Sequence, residues 1–185
     1  MANRICPWWL GYFLVNPVRR LWQEPARILQ PFVSDGMLAV EPGCGMGFFT
    51  LELARLVGPR GRVVAVDIQE RMLAALRRRA RKAGLADRIE ARLAAPGKFM
   101  LDDLAGRADF ALAFAVVHEL PDEDQFFSEM HSVLHAGGIL LVSEPKAHVR
   151  LAEFQASLNA ASRLGFRLSD VPVIKGSRSA VLERV

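Results

Sequence analysis

Apolar residues recur along this chain in two alternating rhythms. Short continuous apolar runs read as buried strands: MLAVE (37–41), RVVAV (62–66) running to Asp67, ADFALAFA (108–115) and ILLVSE (139–144). IEARLA (89–94) is a weaker run of the same kind. Between them apolar residues return at helical spacing. FFTLELARLVG (48–58) is one such stretch, closed by Gly58. Residues 69–83 bring Met72, Leu73, Leu76 and Ala80 to one face, and Gly84 stops that helix. Residues 122–134 direct Phe126, Phe127, Met130, Val133 and Leu134 inward, and residues 147–164 do the same with Leu151, Phe154, Leu158 and Ala161. Gly137 and Gly138 read as the turn into the fifth strand. Pro17 and Pro25 suit the first turns of short helical pieces over 16–31. At the end, FRLSDVPVI (166–174) and SAVLERV (179–185) are separated by a short KGSR turn and predict an antiparallel hairpin.

The order predicts an α/β fold, a Rossmann-like, doubly wound sheet of seven strands, mostly parallel with a C-terminal antiparallel hairpin. The 185 residues suit one ordinary domain, expected over 36–185, with residues 1–35 as a helical and aromatic segment before it. In such sheets ligands bind beyond the carboxyl ends of the strands, near the switch in strand order. Glu41 to Gly47, Asp67, the stretch Phe114 to Leu120 and the end of the fifth strand are therefore the places to look for chemistry.

The first of these carries the strongest signal. In VEPGCGMG, glycines at 43, 45 and 47 flank Cys44 and let the backbone turn tightly beside a ligand, and the following helix presents free N–H groups. Asp67 follows Gly47 by twenty residues at a strand tip, where a carboxylate accepts both hydroxyls of a ribose. Loop and acid together indicate a cofactor containing adenosine. A nicotinamide site wants G-x-G-x-x-G, but Phe48 occupies its last position, and Glu41 at the loop entrance is a poor neighbour for a diphosphate. No GxxxxGK[ST] loop is present for a nucleoside triphosphate. Glu41 suits a ligand carrying an amino group and a sulfonium.

VEPGCGMG, GRVVAVD, FAVVHEL, LHAGGILLVSEP and the terminal hairpin appear in that order over residues 36–185. In this the sequence resembles the class I S-adenosylmethionine-dependent methyltransferases. The resemblance implies S-adenosylmethionine as cofactor, with Gly43, Cys44, Gly45 and Gly47 beneath its methionine part. It implies Glu41 beside the amino group, Asp67 on the ribose, Ile68 against adenine, and Phe114, Ala115 and Val116 on the cofactor's other side. Many relatives also carry an acid after the third strand that reads the adenine amine. Here Ala94 and Ala95 stand in that place, which leaves the contact to backbone groups.

His118 and Glu119 follow the fourth strand, and Glu144 ends the fifth. An imidazole titrates near neutral pH, so His118 is a candidate general base or orienting group for a methyl acceptor; a structural hydrogen bond is the competing role. Glu119 and Glu144 are further catalytic candidates. Methyl transfer itself asks mainly for placement and exclusion of water.

Composition narrows the partners. The formal charge is +4, and much of the excess sits in RRRARK (77–82), which reads first as a solvated helix end suited to the helix dipole. Nucleic acid is disfavoured as a partner. Two cysteines, Cys6 and Cys44, with no CxxC or HExxH pattern, predict no metal site and a reducing, cytoplasmic compartment. The aromatic start ICPWWLGYFLV, with Trp8, Trp9, Tyr12 and Phe13, is too short to span a bilayer. Its readings are core packing, a lid over the acceptor, peripheral membrane contact, or a signal segment. With no long insertion between the later strands, a small acceptor of apolar or lipid-like character is favoured. A protein or nucleic-acid methyltransferase, a relative that binds without transferring, and a nicotinamide-dependent oxidoreductase are the alternatives. The oligomeric state is left open.

Overall fold

The computed structural model describes residues 23–95 and 97–185. Their seven strands, counted along the chain, form a sheet in the order third, second, first, fourth, fifth, seventh, sixth, the predicted Rossmann-like arrangement. Chain contacts divide these residues into two units, 23–100 and 101–185.

The first unit contains α1 (Pro25–Leu29), β1 (Leu38–Pro42), α2 (Thr50–Leu56), β2 (Arg62–Asp67), α3 (Glu70–Lys82) and β3 (Ile89–Leu93), with a 3₁₀ turn at Ala86–Arg88. β1 and β3 each pair with β2 in parallel, in a register that sets Glu41 beside Ala65 and Asp67 beside Leu93. Val63 to Val66 are wholly buried, as a strand covered on both faces requires. Helix α3 buries Met72, Leu73, Leu76 and Ala80 as its spacing predicts, together with Ala75. The stretch 48–58 becomes helical only from Thr50; residues 45–49 turn, because the glycine loop runs further than the apolar pattern suggests.

The second unit contains β4 (Ala108–Phe114), α4 (Glu123–Val133), β5 (Leu134–Pro145), α5 (Leu151–Arg163), β6 (Phe166–Asp170) and β7 (Ser177–Arg184), with a 3₁₀ turn at Val117–Glu119. Asp122 caps α4 by accepting the Gln125 N–H at 2.9 Å. β4 and β5 are parallel, and β7 lies antiparallel between β5 and β6, which is the expected hairpin end.

Three expectations are corrected. Gly137 and Gly138 do not precede β5 but lie within it. The strand begins at Leu134, paired with Ala108, and bulges so that Asp109 stands opposite the four residues 135–138. The predicted strand 166–174 ends at Asp170, because Pro172 has no N–H to continue a ladder. On α5 the inward face is Phe154, Ser157, Ala160 and Ala161; Leu151 is 64% exposed and Leu158 half-buried. Small residues let that helix pack closely, so its buried stripe is less apolar than its sequence pattern. The aromatic segment with Trp8, Trp9, Tyr12 and Phe13 lies outside the described residues.

Candidate active site

In the first unit, the end of β1 delivers a buried glutamate and then a loop of left-handed glycines. Glu41 is buried, and its Oε2 accepts the Thr50 hydroxyl at 2.5 Å from the first turn of α2. Gly45 and Gly47 have φ of +54° and +79°, which a side chain adopts only at a cost. Their surroundings differ. A Cβ at Gly47 would come within 2.3 Å of Leu76 Cδ1, so this glycine seats the loop on α3. A Cβ at Gly45 would meet no protein atom within 4 Å, so its outer face is open for a ligand to approach the backbone.

Asp67 ties the loop to β2. Its Oδ2 accepts the Gly45 N–H at 2.9 Å and its Oδ1 the Gln69 N–H at 2.8 Å. Burial lifts the Asp67 carboxyl above the usual carboxylate range, and the backbone donors, those of Gln69 and Gly45 foremost, oppose that shift. A carboxylate offers about four lone-pair sites, so these main-chain bonds do not exhaust its acceptor capacity. Ile68, next along the chain, is an apolar side chain 42% exposed just past the strand tip. Cys44 is buried, with its N–H on the Val66 carbonyl at 3.0 Å; burial foremost, then Glu41 and Asp67 nearby, pushes its thiol well up, which disfavours the thiolate. After β3, the N–H groups of Ala94 and Ala95 donate to the carbonyls of Asp67 (2.9 Å) and Lys98 (3.0 Å), so those two donors are already engaged inside the fold.

In the second unit the candidates converge on one carboxylate. Glu144 at the end of β5 is 2% exposed. Its Oε1 accepts the N–H groups of Val116 (3.1 Å) and Val117 (3.0 Å), and its Oε2 contacts Nδ1 of His118. To reach this clasp the chain leaves β4 through Ala115 at φ +57°, held by its N–H on the Ser143 carbonyl at 2.8 Å. His118 is half-buried, with the exposed His148 edge-on at a ring distance of 5.5 Å. Glu144 lifts the imidazole above its usual range. Glu119 shares the 3₁₀ turn and is half-buried, and Phe114 is half-buried at the strand tip.

Thr50, Gln69 and His148 were not singled out in the sequence. Thr50 and Gln69 act through a hydroxyl and a main-chain N–H, which leave no pattern, whereas His148 lies four residues beyond Glu144 and was open to notice. The basic run also does more than face solvent. Arg79 donates to the Met46 carbonyl in the glycine loop, and Arg77 reaches Glu70 and the Ala91 carbonyl, so only Arg78, Arg81 and Lys82 are exposed. Among the described residues no cluster of His, Cys, Asp or Glu has the arrangement of a metal site.

Residues 33–172 match the family model described as a methyltransferase domain. The chain belongs to this family, that of the class I S-adenosylmethionine-dependent methyltransferases. It is 34% identical over 127 residues to the ubiquinone/menaquinone biosynthesis C-methyltransferase of Hahella chejuensis, covering 69% of this chain and 50% of that protein. It is 28% identical over 112 residues to the arsenite methyltransferase of Halobacterium salinarum, covering 60% of this chain and 28% of that protein. The chain thus spans half or less of these curated relatives. Its fold matches the crystal structure of a SAM-dependent methyltransferase from Aquifex aeolicus with a TM-score of 0.86 at 24% identity, covering 98% of this chain and 100% of that one.

Proposed function

We propose that this methyltransferase binds S-adenosylmethionine at the glycine loop and transfers its methyl group to a small acceptor of apolar or lipid-like character. The observation that carries the cofactor is the pairing of an open, left-handed Gly45 with a buried Asp67 that holds it. A backbone bare of side chain beside an anchored carboxylate fits a nucleoside with an aminoacyl tail; Glu41 fits that tail's amino group. The bound cofactor supplies an electrophilic methyl on a sulfonium; Asp67 would hold the ribose and Ile68 the adenine.

The acceptor class has weaker but independent support. A relative at 34% identity is named for C-methylation in ubiquinone and menaquinone biosynthesis. The sequence over residues 5–15 is apolar and aromatic, with Trp8, Trp9, Tyr12 and Phe13, a composition of the same character. The alternative, a protein or nucleic-acid acceptor, draws on the basic run, and the inward turn of Arg77 and Arg79 removes part of that footing. A cytoplasmic compartment accompanies this proposal.

Incubation with methyl-labelled S-adenosylmethionine tests it against three acceptors: a prenylated hydroquinone, a mixed peptide pool and transfer RNA. Label extracted with the hydroquinone supports a small apolar acceptor. Label retained on peptide or RNA alone contradicts it.

A further inference from the structure

We infer that His118 Nε2 is the proton acceptor for the methyl acceptor, and that Glu144 is a positioning residue that fixes the imidazole tautomer required for this. The inference rests on the methyl-transfer reading above and narrows it to acceptors that lose a proton on methylation, such as phenols, enols and activated ring carbons.

The geometry gives Glu144 a double task. One carboxylate oxygen gathers the N–H groups of Val116 and Val117; the other meets His118 Nδ1. A carboxylate only accepts, so Nδ1 must carry the proton, and in the neutral ring the lone pair is then left on Nε2. Burial makes this constraint firm, because Glu144 at 2% exposure has little water to turn toward. The same carboxylate holds the turn that follows left-handed Ala115, so ring orientation and loop conformation are set together. His118 stands beyond the carboxyl end of β4, where sheets of this kind present their working groups.

The proton balance follows. As the acceptor atom bonds the methyl carbon, the carbon–sulfur bond breaks and sulfur keeps its electron pair. The acceptor's proton passes to Nε2, giving an imidazolium stabilised by Glu144, and is later released to solvent. The charged groups around the ring are Glu144 from β5, Glu119 on its own turn and Glu123 at the start of α4, with His148 alongside. All three carboxylates raise the basicity of His118, the Glu144 hydrogen bond most, while burial opposes them. An acceptor that needs no proton removed, such as a tertiary amine, has no use for this arrangement.

The test is nitrogen NMR of the full chain labelled at histidine, titrated with pH, for the native protein and Glu144→Gln. Gln keeps the shape: its oxygen can still accept Val116 and Val117, but its amide nitrogen now faces Nδ1 as a donor. The native His118 is expected as the Nδ1–H tautomer. In E144Q the proton should move to Nε2 and the titration midpoint should fall. A native ring protonated on Nε2, or a tautomer and midpoint unchanged in E144Q, overturns the inference without reference to activity. With a prenylated hydroquinone as acceptor, His118→Gln and E144Q should each lose turnover by about 10²- to 10⁴-fold, with S-adenosylhomocysteine affinity preserved. Turnover within twofold of the native protein in H118Q overturns it. Failure of the native protein to bind S-adenosylhomocysteine counts instead against the cofactor reading, which the NMR result does not touch.

Discussion

The main-chain N–H of Gly45 donates to the Asp67 side chain at 2.9 Å across 22 residues of sequence. The glycine loop after β1 and the acid at the tip of β2 are therefore one structure. Asp67 shapes the loop as well as offering acceptors to a ligand, so substitutions there act on both.

The two loop glycines should separate folding from binding. Gly47→Ala combines left-handed strain of about 1–2 kcal/mol with a clash against Leu76, a side chain that is itself wholly buried and has little room to yield. We expect a loss of about 2–4 kcal/mol in denaturant unfolding. Gly45→Ala carries the strain without the clash, so its stability should fall by only about 1–2 kcal/mol, while its cofactor affinity falls more than that of Gly47→Ala among correctly folded molecules. Equal stability losses in the two variants would contradict the difference in their surroundings.

Ala115 stores strain at the exit of β4. Left-handed alanine costs about 1–2 kcal/mol, and glycine carries about 0.5–1 kcal/mol of extra unfolded-state entropy. Ala115→Gly should therefore stabilise the protein by about 0.5–1 kcal/mol, read as a higher midpoint in urea. A lower midpoint would mean that the Ala115 methyl makes packing contacts worth more than the strain.

The Glu144–His118 pair should leave a mark on stability against pH. His118 titrates higher in the folded chain than its ordinary value of about 6.5, chiefly because it bonds Glu144. Such a group stabilises the fold fully below the unfolded value, and the contribution is lost as pH rises through the folded value. The melting-temperature advantage of the native protein over Glu144→Gln should thus be larger at pH ~6 than at pH ~8.5, on either side of the imidazole range. A constant or growing advantage with rising pH would show that the pair does not hold a charged imidazole.

Much of this was legible in the sequence, for reasons that differ by element. β1, β2 and α3 were plain because continuous valines and a helical stripe of Met72, Leu73 and Leu76 are buried as a whole. The turn of the loop was plain because glycines at 43, 45 and 47 mark backbone that other residues adopt only at a cost. α5 was misread because its buried face depends on Ser157 and Ala160, whose smallness rather than apolarity allows close packing. The bulge in β5 was hidden because it depends on which residue of β4 lies opposite. The convergence of Val116, Val117 and His118 on Glu144 joins positions 26 to 28 residues apart through hydrogen bonds, and only the assembled fold brings those together.

The most direct measurement is calorimetric titration of the native protein and Asp67→Asn with S-adenosylhomocysteine, with NAD as the control. The native protein should bind S-adenosylhomocysteine and give no heat with NAD. Asn keeps the shape but removes the charge and one acceptor, so affinity should fall by about 10- to 100-fold, the equivalent of about 1.5–3 kcal/mol for a charged hydrogen bond. NAD binding without S-adenosylhomocysteine binding, or equal affinities in the native protein and D67N, would contradict the assignment of the glycine loop and Asp67 to this cofactor.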